Sequence, residues 1–362
     1  MQKIPVAILG ATGAVGQRFI SLLEGHPWFE VTEVVASERS AGSSYKQATN
    51  WVLDGYPPAD VANLIVQALG DNLTSPIVFS ALPSGQAKEA EFALAERGHV
   101  VCTNASAYRM TKDVPILLPE INASHIELVD VQRRNYGWTT GALVTNSNCT
   151  STPVAMSLAP LRQFKPTHIQ VVSMQAVSGA GYPGVPSLDI MDNVIPFIGG
   201  EEDKLTKEPA KMLGTFNGDD ITPFHMVVSA ACNRVPVLDS HLVNIAVRFA
   251  EDVTADDLLA AWENFRGPDD VAKLPSAPEH PIQVAYAEDR PQPRRDRMAG
   301  KGMSAVVGRV RECPAVDGFQ YLALSHNTIR GAAGCSILNA EYLVAKGYVQ
   351  LETLPDVQTI RS

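Results

Sequence analysis

The 362-residue chain contains no apolar run of 18 residues, so no segment has the length and hydropathy of a transmembrane helix. Its start, Met1-Gln2-Lys3-Ile4-Pro5, passes directly into a short apolar strand without the h-region of a secretory signal, which points to a cytoplasmic protein. Cysteine is sparse. The five, at 102, 149, 232, 313 and 335, are an odd number with no C-x-x-C spacing, so reduced thiols are expected, with no disulfide framework and no metal site. Basic residues are outnumbered, 29 Lys and Arg against 39 Asp and Glu, for a net charge of −10. No Lys/Arg-rich face stands out to release counterions, which argues against nucleic acid as a partner. Low-complexity tracts and solenoid-period repeats are also missing. What remains is a globular composition at a length beyond one ordinary core, and two domains are expected.

Val6-Ala7-Ile8-Leu9 is a continuous apolar run, as in a strand buried on both faces of a parallel sheet. It feeds Gly10-Ala11-Thr12-Gly13-Ala14-Val15-Gly16. Val15, Phe19, Leu22 and Leu23 then fall at i, i+4, i+7 and i+8, one face of a helix. Strand, glycine turn and helix in that order form the first crossover of a dinucleotide-binding fold. The helix N-terminus offers N–H groups to a pyrophosphate, and the glycines let the backbone approach it. The spacing is G-x-x-G-x-x-G, not the usual G-x-G-x-x-G. A second strand, 31–36, ends at Ser37-Glu38-Arg39-Ser40. An NAD site places a carboxylate at this tip for the ribose 2′-OH, whereas a nearby Arg accommodates the 2′-phosphate of NADP. Ser37, Arg39 and Ser40 favour NADP; Glu38 is the dissenting residue. Further strands are expected over 77–82 and 100–104, with a helix over 86–97 stopped by Gly98. The first of these strands ends in Ser80-Ala81-Leu82, at a carboxyl end where a cofactor would lie.

The strand Ala142-Leu143-Val144-Thr145 leads into Asn146-Ser147-Asn148-Cys149-Thr150-Ser151-Thr152-Pro153. A thiol just ahead of a helix N-terminus feels its positive dipole end and free N–H groups, which lower the thiol pKa and prepare a nucleophile. A buried structural cysteine at a strand end is the alternative. From about residue 165 the pattern shifts to β-rich runs, 168–177 and 242–249, whose alternation suits an antiparallel sheet with one wet face. The loop 178–184 follows the first of them. A closing helix over 331–345, apolar at Ile337, Leu338, Ala340 and Leu343, is expected to return to the first domain.

Five segments in order resemble the aspartate-semialdehyde dehydrogenase family, in its archaeal/fungal-like branch: Asn148-Cys149-Thr150, 174–181, Gly200-Glu201-Glu202-Asp203-Lys204, 234–241, and 327–334. The resemblance implies an α/β protein. Its N-terminal Rossmann-like dinucleotide-binding domain, 1–149, would be completed by a C-terminal helix within 331–362. An α+β catalytic and oligomerisation domain, 150–330, would carry a mostly antiparallel sheet. It also implies roles. Cys149 would be the nucleophile, His241 the general acid/base, and Gln175 the group orienting the reacting carbonyl or a water. Arg234 would grip the substrate carboxylate and Glu201 its amino group. Asn148 would join the substrate site, and Arg109 and Lys204 would hold phosphate. NADP would lie along Gly10, Thr12, Gly13, Ala14, Val15, Gly16, Ser37, Arg39, Ser40, Ser80, Ala81 and Leu82, with Ser178, Gly179, Asn327, Thr328 and Gly331 closing over it. The implied substrates are β-aspartyl phosphate or aspartate semialdehyde with phosphate, and the implied assembly is a homodimer or homotetramer.

Taken without the family, several assignments stay open. Glu201-Glu202-Asp203-Lys204 is also an acidic helix start with a complementary lysine. Arg109 could be a solvated loop residue, and His241 a satisfied strand-edge histidine. Arg234 and His241 lie seven apart, on opposite faces of one flat strand, so a turn at Asp239-Ser240 must re-aim the histidine. A malonyl-CoA reductase-like acyl-CoA reductase would share the Cys, the His and the NADP site, but has less use for Arg109, Glu201 and Lys204. The Pro-Gly-Cys motif of N-acetyl-glutamyl-phosphate reductase and the Ser-Cys-Thr-Thr-Asn motif of glyceraldehyde-3-phosphate dehydrogenase are both absent.

Overall fold

The computed structural model describes residues 3–350. The strands are β1 (Ile4–Leu9), β2 (Phe29–Ala36), β3 (Val66–Ala68), β4 (Ile77–Ser80), β5 (Val100–Thr103), β6 (Ala142–Thr145), β7 (Pro166–Gln175), β8 (Thr215–Phe216), β9 (Ile221–Thr222), β10 (Val227–Arg234), β11 (His241–Phe249), β12 (Ile282–Ala285), β13 (Ala305–Cys313) and β14 (Gly318–Ser325). The longer helices are α1 (Ala14–Leu23), α2 (Ser84–Glu96), α3 (Leu128–Tyr136), α4 (Ser151–Leu158), α5 (Glu201–Met212), α6 (Ala255–Glu263) and α7 (Gly334–Ala345).

The first sheet is parallel throughout, in the order β3-β2-β1-β4-β5-β6. Every residue of β4, β5 and β6 is buried, which is why these strands read as unbroken apolar runs. One face packs with α1 and α7 through Phe19, Ile20, Leu338 and Leu343. The other is covered by α2 and Trp138. Residues 351–362 of the C-terminal segment 331–362 lie outside the described residues.

The second sheet runs β10-β7-β11-β14-β13-β12. It is mixed, and this corrects the expectation of a mostly antiparallel sheet. The pairs β7–β11, β11–β14 and β13–β14 are antiparallel, but β10–β7 and β12–β13 are parallel. The cause is the crossover 176–226, which carries α5 and returns the chain to the same edge of the sheet. Alternation within one strand does not reveal its neighbour's direction. The consequence is functional: the carboxyl ends of β7 and β10 and the start of β11 meet at one edge. Against the second sheet packs α4, with all eight residues buried; Val154, Met156 and Leu158 share a core with β7, β11 and the Trp262 side chain of α6.

One ion pair braces the approach to α7. Arg330 Nη1 and Nη2 donate to Glu120 Oε1 and Oε2 at 2.6 and 2.8 Å, and both side chains are buried. Removing one partner strands the other charge in low dielectric. Glu120→Gln should therefore cost about 3–5 kcal/mol in urea unfolding, and Glu120→Leu combined with Arg330→Met should recover most of it.

Candidate active site

Cys149 lies in the turn between β6 and α4, where the chain leaves the first sheet for the second. Asn148 builds that turn: its Oδ1 accepts the N–H groups of Thr150 and Ser151 at 2.8 and 3.1 Å, an Asx-type turn that opens α4. Gly331 packs against the turn from behind, and a Cβ there would fall 2.7 Å from Cys149 Cβ. The thiol keeps partial exposure, and its sulfur stands 3.2 Å from His241 Nε2.

The second sheet supplies the facing wall. Gln175 ends β7, Arg234 ends β10 directly opposite it in register, and His241 opens β11. Arg234 and His241 therefore sit on two strands that flank β7. The segment 235–240 joins them, with Ser240 at φ +86° making the sharp re-entry. All three side chains are buried on the cleft face. Arg234 Nη1 donates to the Ala176 carbonyl at 2.8 Å. Ala176 N–H donates to His241 Nδ1 at 3.1 Å, so the neutral imidazole carries its proton on Nε2 and presents it to the sulfur. A Cβ at Gly179 would lie 2.8 Å from Arg234 Nη1 and 3.0 Å from His241 Cε1, so the bare backbone of that turn lies against both.

Helix α5 closes the cleft. The Glu201 carboxylate accepts from Asn148 Nδ2 at 3.0 Å to both oxygens, from Lys204 Nζ at 2.8 Å, from Gln175 Nε2 at 3.3 Å and from Thr150 Oγ1 at 3.4 Å. Burial pushes its pKa up, but the Lys204 hydrogen bond and charge, with Asn148 and Gln175, bring it below the ordinary value. Arg109 is buried rather than solvated: Nη1 meets Glu208 Oε1 at 3.0 Å and Nη2 donates to the Asn104 carbonyl at 2.8 Å.

Packing sets the protonation states. Burial, with the Glu201 charge added, pushes the Cys149 thiol up to about 12 against the pull of Arg109, Lys204 and Arg234. Burial and then Arg234 lower His241 to about 3, opposed by Glu201 and the Ser240 carbonyl. The raised thiol corrects the expectation of a helix-lowered one. Desolvation of a thiol that keeps only part of its exposure outweighs the helix terminus, and the fully buried His241 ring is desolvated further.

The residues named for the cofactor line the carboxyl ends of the first sheet and the seam between the sheets. Gly10 has φ +69°, and a Cβ there would lie 2.8 Å from the Ala81 carbonyl oxygen. A Cβ at Gly16 would lie 2.2 Å from the Gly10 carbonyl oxygen. Gly13 precedes α1, Ala14 and Val15 begin it, and Thr12 is half-buried in the same turn. This glycine cradle at a helix N-terminus fits a dinucleotide pyrophosphate. Beyond the end of β2, Ser37 and Arg39 are exposed and Ser40 is half-buried. Ser80 is buried at the tip of β4, with Ala81 and Leu82 half-buried after it. At the seam, Asn327 joins two loops: Ser240 N–H donates to its Oδ1 at 2.7 Å, and its Nδ2 donates to Ser178 Oγ at 2.8 Å. Thr328 follows, half-buried. Among the described residues no cluster of three or more His, Cys, Asp or Glu side chains could hold a metal ion.

Residues 5–129 match the family model described as semialdehyde dehydrogenase, NAD binding domain, and residues 158–330 match semialdehyde dehydrogenase, dimerisation domain. Over 344 residues the chain is 50% identical to the aspartate-semialdehyde dehydrogenase of Archaeoglobus fulgidus, covering 94% of this chain and 98% of that one. The chain belongs to the aspartate-semialdehyde dehydrogenase family. A fungal member, from Trichophyton rubrum, is 44% identical, with 94% of this chain and 97% of its own length covered. The crystal structure of the Candida albicans aspartate semialdehyde dehydrogenase with NADP superposes with a TM-score of 0.86 at 40% identity, covering 95% of this chain and 99% of that one. Archaeal and fungal members thus carry the likeness, as the sequence motifs implied, and the acyl-CoA reductase reading is not favoured.

Two buried charged residues beside the cleft escaped sequence reasoning. Glu208 Oε2 accepts the Asn148 N–H at 2.5 Å. Lys211 Nζ donates to the carbonyls of Arg109, Thr111 and Val114 at 2.8, 2.7 and 2.7 Å. The available signal was spacing: 201, 204, 208 and 211 occupy one helix face.

Two outcomes are expected. Gly179→Ala should lower kcat/KM by about tenfold or more by displacing Arg234 and His241, and should cost about 1–3 kcal/mol in urea unfolding because the methyl overpacks two buried side chains. Alkylation of Cys149 by iodoacetamide should rise about tenfold per pH unit from pH 7 to 10 with no plateau, because the thiol ionises only near 12.

Proposed function

We propose that the chain catalyses the reversible, NADP-dependent reductive dephosphorylation of β-aspartyl phosphate to aspartate β-semialdehyde, through a thioester on Cys149. The observation that carries this reading is the thiol 3.2 Å from an imidazole, beside one carboxylate and the cations Arg109, Lys204 and Arg234. A dianionic phosphate held next to a developing thiolate needs that positive charge, and the carboxylate offers a partner for an ammonium group. The domain division follows: 1–149 with the C-terminal helix holds the cofactor, and 150–330 supplies the chemistry and the oligomer contacts. The reaction belongs to the cytoplasmic aspartate route to lysine, threonine and methionine.

In the reductive direction the Cys149 sulfur bonds to the acyl carbon as the acyl–oxygen bond breaks. Phosphate leaves with the electron pair of that bond and takes the thiol proton. His241 Nε2–H steadies the negative sulfur while this happens. Arg234 holds the substrate carboxylate and Glu201 its ammonium, which fixes the acyl carbon over the sulfur. When bound, NADPH supplies the hydride that reduces the thioester carbon. The neutral His241 ring faces the resulting thiohemiacetal oxyanion with Nε2–H; it gives that proton to the oxygen as it regains one from solvent, and the hydroxyl proton then passes to the departing sulfur. Collapse releases the aldehyde as sulfur regains its electron pair, and the reverse reaction retraces these steps.

For assembly, a homodimer or homotetramer built on the β10 edge is the reading we favour. The segment around Ile195 pairs with Arg234 at that edge, and Val194, Phe197 and Val227 expose 53%, 68% and 55% of their surface there. These side chains suit burial against a second copy.

Absorbance at 340 nm tests the activity with semialdehyde, phosphate and NADP⁺. Turnover should require phosphate, coenzyme A should not replace it, and Cys149→Ser should lower kcat by about 10³-fold or more. Arg39→Ala should raise the KM for NADP⁺ by about tenfold and leave that for NAD⁺ unchanged. Phosphate-independent turnover would sink the phosphorylating reading.

A further inference from the structure

Of the four side chains that α5 turns toward the cleft, Glu201 and Lys204 pair with each other, and Lys211 holds the backbone of 109–114 through three carbonyls. Glu208 differs from all of them. Its two carboxylate oxygens serve two different functional elements: Oε1 receives Arg109 Nη1 at 3.0 Å, and Oε2 receives the N–H of Asn148, the residue before the nucleophile, at 2.5 Å. We propose that Glu208 is the positioning residue that locks the phosphate-holding arginine to the turn bearing Cys149, an inference that rests on the functional reading above.

Four observations support it. Glu208 and Arg109 are both buried, so neither exchanges this partner for water. Arg109 Nε is buried with no hydrogen-bond partner. The Glu208 and Asn104 contacts engage both terminal nitrogens and thus fix the guanidinium plane. A carboxylate with both oxygens engaged by donors also repels that anion less than a free one would. Finally, no other residue type satisfies both bonds at this place. A glutamine offers one oxygen and one NH₂, so either Arg109 or the Asn148 N–H would face a donor. An aspartate is one methylene short of reaching both. Because Asn148 N–H and Arg109 share one acceptor, arrival or departure of phosphate at the arginine is transmitted to the backbone beside the sulfur. Lys211 is the other charged group whose field includes Glu208; its three carbonyl bonds secure the loop rather than the guanidinium.

Initial rates in the oxidative direction, with phosphate and semialdehyde varied separately, test this. Glu208→Gln should raise the phosphate KM by about tenfold and lower kcat by about tenfold, with the semialdehyde KM within about twofold. Glu208→Asp should shift the same way, and carries the test alone if the glutamine variant does not fold. In an Arg109→Leu background, Glu208→Gln should add nothing to the phosphate KM, because its effect runs through that arginine. A second readout needs no turnover: inorganic phosphate should slow iodoacetamide alkylation of Cys149 in the wild type, and this response should shrink in Glu208→Gln. Equal changes in both KM values, additivity with Arg109→Leu, or an unaltered phosphate response would each overturn the proposal. Absence of phosphate-dependent turnover in the wild type would instead overturn the functional reading.

Discussion

The cleft is organised around one buried carboxylate. Glu201 takes hydrogen bonds from a helix neighbour, from the turn that carries the thiol and from the end of β7, so three chain segments converge on a single negative charge. That charge has two effects of opposite sign. It offsets Lys204 and keeps the cluster of cations from being unbalanced, and it raises the cost of ionising the sulfur. A substrate whose ammonium engages Glu201 would relieve the second effect, so the enzyme's most reactive group becomes available when the right molecule is in place.

The sheet architecture makes this convergence geometrically cheap. A purely antiparallel second sheet would send neighbouring strand ends to opposite sides. The parallel pairing of β10 with β7 at one margin brings their ends together beside the start of β11, and ladder partners on either side of β11 hold that strand in place. The first sheet delivers Cys149 to the same point because β6 is its edge strand and the chain must leave there. Each catalytic candidate therefore hangs from the end of a rigid element, which keeps its orientation precise without a bound ligand.

Much of this was legible in the residues, and the gaps have physical causes. Val6 to Leu9, the glycines at 10, 13 and 16, and the apolar spacing from Val15 declared a nucleotide-binding crossover, because burial on both faces and close backbone approach leave strong marks on composition. The turn at Asp239-Ser240 was foreseen from parity alone, although it proved to join two strands and not to kink one. Strand direction in the second sheet was hidden, since alternation along a strand is the same whichever way its neighbour runs. Protonation states were hidden as well. Proximity of Cys149 to a helix start is a local property, whereas His241 and Gly331, which pack against it, and Glu201, whose charge raises its pKa, are distant in sequence. Glu208 went unnoticed because a carboxylate seven residues beyond Glu201 on a charged helix looks like surface until its partners are known.

The path of the backbone has a consequence for the protein's modularity. The chain leaves the first sheet after β6, builds the second, and returns so that α7 lies against β4 and β5, with Leu338 and Leu343 in the core of the first sheet. The layer around the first sheet is thus assembled from two separated stretches of the polypeptide, with the second sheet inserted between them. No single scission could release either half intact. Any exchange of the nucleotide-binding unit between relatives would have to move two separated stretches of gene together, which favours inheritance of the pair as one block.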